Sequence, residues 1–293
     1  MKFAAAAMCV GIDRCRVRYV FSRAFDRRRG LTLIELTVVI AILAVLAMML
    51  LPRLAFMRTM SVHASAATQL QEVSQNLLAF HATQAKWPHR FDSLLTSASA
   101  GGSPTGLYGS GGGAQGLDTN LTGGLLTTTV LTANQKKSLS GLLGNPSGNT
   151  TVLQVMDHDE SQTKPGNSGV FARDLNASGA NLTVATIDPT HNVNPADPNS
   201  ASGAIIYNSI YPEGNPNNET LVALGVGPQC TAVSKTIVTP PQLYMKDGTR
   251  YNRVIVVIRV RPDGVQASLA TAISPDGRTI DQCLGNYRVT AER

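Results

Sequence analysis

Residues 31–51 form an apolar run of 21 residues that carries one charge, Glu35. The basic cluster Arg27-Arg28-Arg29 stands immediately before it, separated by Gly30. About 20 apolar residues cross a bilayer as a helix, so the run is long enough to span one. A carboxylate inside such a segment costs about 2.5–3.5 kcal/mol on insertion scales. Glu35 is therefore expected to have a partner.

Charge divides at the same boundary. Residues 1–30 hold eight of the 25 Lys and Arg and two of the 19 Asp and Glu, which leaves 17 of each in residues 31–293. The whole net charge of +6 thus belongs to the leader. There it marks the cytoplasmic side of a membrane segment and is not a phosphate-binding surface on the body. Hydrophobic residues make up 43% of the chain and charged residues only 15%. The polar remainder is mostly Ser, Thr, Asn, Gln and Gly, a composition common in exported proteins. A chain of 293 residues has room for a membrane segment and one or two compact domains. Cys9 and Cys15 precede Gly30, whereas Cys230 and Cys283 lie in the last quarter. If the leader stays in a reducing compartment and the body is exported, one pair remains to oxidise. A bridge between Cys230 and Cys283 would close a loop of about 54 residues. The chain-entropy model gives such a loop about 4 kcal/mol. Two unpaired buried thiols are the alternative.

A secretory signal places about 7–15 apolar residues ahead of a small-residue cleavage site. Here the order is reversed, with Gly30 before a longer run. The arrangement resembles the class III signal of type IV prepilins and type II secretion pseudopilins. The residues that carry the resemblance are Gly30, then Leu31-Thr32-Leu33-Ile34-Glu35-Leu36, the apolar run, and Pro52 just beyond it. Leu31 stands where the family more often has Phe or Met, and the long leader leaves Met8 as an alternative start. The resemblance implies cleavage by a prepilin peptidase between Gly30 and Leu31, methylation of the new Leu31 amine, and recruitment through Glu35 facing a neighbour's amine. The alternative for Glu35 is a protonated side chain that merely tolerates its position.

Beyond the anchor, Pro52 is expected to kink the helix. Helix-compatible sequence resumes at Arg53 and runs to about Lys86. Leu54, Met57, Val62, Ala66, Leu70, Val73, Leu77, Leu78 and Phe80 recur at spacings of three and four, which gives one apolar stripe. Residues 31–86 would form roughly 84 Å of helix at 1.5 Å per residue. Trp87-Pro88 stops it. The stretch through Phe91-Asp92-Ser93-Leu94-Leu95 again looks like major pseudopilins, where an aromatic-Pro pair and a Leu-rich turn close the long helix. Residues 97–131 are rich in Gly, Ser, Thr and Leu and read as a flexible surface loop. Thr132 and Gly144 bracket a short helix over 133–143. Strands are expected at 152–156, 182–187, 204–210 and 221–226. A hairpin joins 253–260 to 265–273 through Arg261-Pro262-Asp263-Gly264, and Pro275-Asp276-Gly277 makes a further turn.

Other chemistry finds little support. Gly109-Ser110-Gly111-Gly112-Gly113 lacks the Gly-Lys-Ser/Thr of a phosphate loop. His63, His81, His89, His158 and His191 form no zinc spacing, and no nucleophile elbow is present. Asp157, Asp159 and Glu160 are calcium candidates only by composition, because no glycine and distal glutamate complete an EF-hand; a solvated loop is preferred. Lys246, Arg250, Arg253, Arg259 and Arg261 could make a DNA-binding strip, but with a neutral body a solvated sheet face is preferred.

The expected fold is α+β and pilin-like: a long N-terminal helix, membrane-spanning in its first half, packed on a C-terminal antiparallel sheet. The expected organisation is a removed leader (1–30), an anchor and filament-core helix (31–51), an amphipathic continuation (52–88), a connecting region (89–150) and a β-rich head (151–293). The expected function is that of a structural subunit of a type IV pilus or type II secretion pseudopilus, not an enzyme, and no cofactor is expected apart from the calcium possibility. Its expected partners are like subunits, prepilin peptidase, inner-membrane assembly machinery and lipid, and not nucleic acid. It would sit in the inner membrane with a periplasmic head before assembly, and in a surface pilus or periplasmic pseudopilus afterwards. A minor or tip subunit with a ligand- or DNA-binding head and a single-pass anchored periplasmic protein remain the rivals.

Overall fold

A computed structural model describes residues 32–95, 106–107, 116–143, 154–156, 172–174, 183–192, 201–228, 230–243 and 251–291. The chain divides into two compact units, Met1–Pro52 and Arg53–Arg293. It is α+β, with an apolar N-terminal helix followed by helices and a five-stranded antiparallel sheet.

Helix α1 covers Leu33–Gln84 and runs through Pro52 without ending there. In the first unit, residues 33–51 are all solvent-exposed within the structure. In the second unit the helix is one-sided. Ala66, Ala67, Leu70, Val73, Leu77 and Phe80 are buried at spacings of three and four, while Leu54, Met57 and Leu78 of the expected stripe are exposed. The helix stops at Gln84 rather than Lys86, because Ala85 takes a left-handed conformation (φ 52°). His81 then stacks against Trp87 with ring centroids 4.6 Å apart.

The remaining elements are β1 (Leu126–Val130), α2 (Ala133–Leu143), β2 (Gln154–Met156), β3 (Ala172–Asp174), β4 (Thr183–Ile187), α3 (Gly203–Ile210), β5 (Thr220–Gly225), β6 (Ile255–Val260), β7 (Ser268–Ile273) and α4 (Ile280–Ala291). The five-stranded sheet has the order β1-β4-β5-β6-β7, and β2 pairs with β3 separately. Successive strand residues face opposite sides, and here both sides are buried. Val222, Leu224, Val256, Ile258 and Val260 join the cluster that contains the α1 stripe. Leu221, Ala223, Ile255 and Val257 join a second cluster with Leu94, Leu95, Leu121, Leu125, Ile206 and Tyr251.

Several expectations are corrected. Residues 204–210, read as a strand, form α3. Ser202 is its N-cap and accepts a hydrogen bond from Ile205 N–H at 3.3 Å, and its buried or half-buried positions Gly203, Ile206, Tyr207 and Ile210 have helical spacing. The end of the supposed surface loop 97–131 is ordered. A π-helical turn, Leu121–Leu125, leads into β1, with Leu121, Leu125 and Leu126 buried. β1 pairs with β4 over Leu126↔Ile187 to Val130↔Thr183. The hairpin is present, but β7 begins at Ser268 instead of 265. The intervening backbone turns to α2 instead, where Ala267 N–H donates to Ser138 O at 3.1 Å and Arg261 N–H to Ser138 Oγ at 3.2 Å. Gly264 supplies the positive φ of 80° that the turn needs. Of the expected basic strip, Arg253, Arg259 and Arg261 are described, and each is half-buried. Arg259 is half-buried and donates to Ser268 Oγ at 3.1 Å, and Arg261 pairs with Asp263 at 2.8 Å. Lys246 and Arg250 lie outside the described residues.

Candidate functional site

The site is the start of α1. Four N–H groups at a helix N-terminus lack partners within the helix. Thr32 and Glu35 supply two of them reciprocally. Glu35 N–H donates to Thr32 Oγ1 at 3.3 Å, and Thr32 N–H donates to Glu35 Oε2 at 2.9 Å. Thr32 Oγ1 also donates to the same Oε2 at 3.0 Å. Leu36 N–H closes the first turn on Thr32 O at 3.1 Å. This is a capping box.

Among the described residues the same device occurs twice more. Thr132 N–H donates to Gln135 Oε1 at 2.9 Å, and Gln135 N–H returns a bond to Thr132 Oγ1 at 3.3 Å. At the start of α4, Thr279 N–H donates to Gln282 Oε1 at 3.0 Å, and Gln282 N–H to Thr279 Oγ1 at 3.2 Å. Both of these boxes use a neutral Gln. Capping alone therefore does not require the carboxylate at position 35.

Behind the Thr32–Glu35 box stretches Leu33–Leu51, 19 residues long and apolar enough to cross a membrane. None of it is buried inside the structure. Leu33 is 81% exposed and Met48 78%, so the segment has no protein core of its own.

The expected processing residues Gly30 and Leu31 lie outside the described residues, as do Asp157, Asp159, Glu160 and His158. Among the described residues no group of three His, Cys, Asp or Glu side chains could hold a metal ion. Pro52 lies inside α1. The expected bridge between Cys230 and Cys283 is not formed: both are free and buried, in the core cluster shared with α1. Burial pushes the Cys230 thiol up to about 12 and the Cys283 thiol up to about 11. Both are thus held as thiols, whereas oxidation and exchange proceed through thiolate.

Among the described residues two carboxylates are buried, Asp92 and Asp118. Tyr251 Oη donates to Asp92 Oδ2 at 2.9 Å, and both side chains are buried. Asp92 and Gly225 exchange backbone bonds at 2.8 and 2.9 Å. A Cβ on Gly227 would clash with the Asp92 carboxylate, so only glycine admits this approach. The arrangement fastens residues 91–95 to the end of β5.

Residues 26–51 match the family model described as the prokaryotic N-terminal methylation motif. The chain carries the type IV pilin and pseudopilin signature. The methylation motif ends with the span Leu33–Leu51 and contains the whole Thr32–Glu35 box. The motif and the apolar helix together fit a membrane-anchored, pilin-like prepilin-peptidase substrate. No curated protein and no solved structure matches the chain.

Sequence reading found Glu35 and missed Thr32. The signal was available: Thr-x-x-Glu immediately before an apolar run is a capping-box pattern.

Proposed function

We propose that this chain is a structural subunit of a type IV pilus or type II secretion pseudopilus. It is cleaved between Gly30 and Leu31, methylated on the Leu31 amine, and polymerised through α1. Before assembly Leu33–Leu51 holds it in the inner membrane with the head in the periplasm. In the filament the same segment packs against other copies. Glu35 pairs with a neighbour's N-terminal amine, because two isolated charges in an apolar medium are each costly and pairing removes much of that cost. The observation that carries this reading is the methylation motif at residues 26–51, in register with a capped apolar helix. The test is expression with and without a prepilin peptidase, followed by mass spectrometry of the N-terminus. The expected product begins at Leu31 and carries one added methyl group. A leader still intact in the presence of peptidase overturns the proposal in favour of a single-pass anchored protein.

A minor or tip subunit is the second reading, favoured by the extent of the unit Arg53–Arg293. Subunit counting in purified filaments separates it from a major subunit: a few copies per filament support it, and copies along the whole length exclude it.

A further inference from the structure

The five-stranded sheet ends in β1 on one side and β7 on the other. The two edges differ. β7 pairs irregularly with β6 between Val257 and Ile258, its side chains are half-buried or buried, and Pro275 stands just beyond it. Bulges and prolines are among the devices that keep a sheet edge from pairing with another chain. β1 is Leu-Thr-Thr-Thr-Val, with no charge, no proline and a regular register on β4. Thr127, Thr128 and Val130 are exposed. Thr127, Thr128, Thr129 and Val130 are β-branched, which favours strand pairing.

The register fixes which backbone groups are free. Asp188 N–H donates to Leu125 O at 2.9 Å, and residues 125 and 188 continue the β1–β4 register. Antiparallel pairs alternate, so Thr127 and Thr129 turn their N–H and C=O groups to β4, while Leu126, Thr128 and Val130 turn theirs away. Leu126 N–H is taken by Leu121 O. Among the described residues the Thr128 and Val130 N–H groups and the Leu126 and Thr128 carbonyls have no hydrogen-bond partner.

We propose that β1 is a docking edge for β1 of a second copy of this chain. The strands run antiparallel about a two-fold axis at Thr128. Thr128 N–H of each copy donates to Thr128 O of the other, and Val130 N–H donates to Leu126 O. Both free N–H groups of each strand are then satisfied. The edge accepts an uncharged strand of its own length that carries unpaired groups at the same spacing, and β1 of another copy is such a strand. The contact is isologous, with the same patch used on both copies. It involves the head alone and does not rest on the assembly role proposed for α1.

The experiment uses the full chain in detergent micelles, with Cys9→Ser and Cys15→Ser so that only the buried Cys230 and Cys283 remain. Thr128→Cys is added, and the protein is oxidised with copper phenanthroline. Residues facing each other across the two-fold have Cα atoms about 5.5 Å apart, within the disulfide range. A covalent dimer is therefore expected on a non-reducing gel. Thr127→Cys sets the two thiols on a diagonal, with Cα atoms roughly 7–8 Å apart, and is expected to cross-link about tenfold less. Without oxidant, light scattering of the native chain is expected to give a dimer and Thr128→Pro a monomer. The Pro ring removes an N–H that points away from β4, so the sheet keeps its ladder; urea unfolding followed by Trp87 checks that the head is intact. Thr128→Lys opposes like charges at the two-fold and is also expected to be monomeric, and mixing it with Thr128→Glu is expected to restore the dimer. If Thr128→Pro unfolds the head, the Lys and Glu variants decide. A monomeric native chain overturns the proposal, as does Thr128→Cys cross-linking no better than Thr127→Cys. A dimer that persists in Thr128→Lys also overturns it and assigns association to another surface.

Discussion

Within α1, residues 33–51 turn Val, Leu, Ile and Met outward on every side, whereas between Ala66 and Phe80 one stripe is apolar and is buried. Both stretches are helical. The difference teaches that helix formation and helix burial are separate facts. The first stretch satisfies its backbone internally, which is what a bilayer demands, and leaves its side chains exposed. The second gains its stability from a sheet that covers one side. The same contrast recurs at the caps. The box at the exposed apolar helix carries a carboxylate, and the two boxes in the head carry amides.

The comparison can be broken most forcefully at the cores. Phe80→Ala should lower the unfolding free energy of the head by about 3–5 kcal/mol, the usual cost of emptying a buried aromatic site. The matching change in the first stretch, Leu46→Ala, should leave head unfolding unchanged within about 0.5 kcal/mol. Urea titration of the full chain in detergent micelles, followed by the single Trp87, measures both; equal effects would erase the distinction between the two stretches. Next in size is Tyr251→Phe, which removes a donor from the buried Asp92 carboxylate and should cost about 1–3 kcal/mol in the same assay. An unchanged midpoint would show that the clasp between residues 91–95 and β5 contributes nothing to the head.

A smaller effect compares the caps. Thr132→Ala should destabilise the head by about 0.5–2 kcal/mol, while Thr32→Ala should not move head unfolding at all. A shift in both would mean that the first unit contributes to the stability of the second. The smallest effect is expected from acid. His63 is held below its ordinary value first by burial and then by Arg278. His89 is held low by burial and then by Arg90, Lys86 and Lys235. A lowered imidazole value favours the neutral form in the fold, so the unfolded chain binds more protons. Stability from these residues is therefore complete above the ordinary value of 6.5 and falls as pH drops below it. Denaturation midpoints measured across that range should decline toward acid, and His89→Gln should flatten the decline. A midpoint that rises on acidification contradicts the assignment.

Much of the N-terminal third was legible because its signals are local. The apolar run, the basic cluster before Gly30 and the one-sided spacing from Ala66 to Phe80 each report on neighbours three or four residues away. The Thr32–Glu35 box was equally local and went unread beside the more conspicuous charge. In the head, Ile205, Ile206 and Ile210 suggested a strand because β-branched residues favour one. Ser202 and the burial of Ile206 turned the segment into α3. The reverse happened at residues 126–130, where a Gly- and Thr-rich surrounding concealed β1. Its place depends on β4, more than 50 residues later.

By itself the sequence determined the membrane-length apolar helix, the basic cluster before Gly30, the charge at Glu35 and the Pro-Asp-Gly turns, because each is written within one or two turns of chain. Only the tertiary structure decided that the sheet is buried on both faces, that Asp92 meets Tyr251 across 159 positions, and that Cys230 and Cys283 lie unbridged in one core. Those outcomes depend on which distant surfaces meet, and local spacing carries no record of that choice.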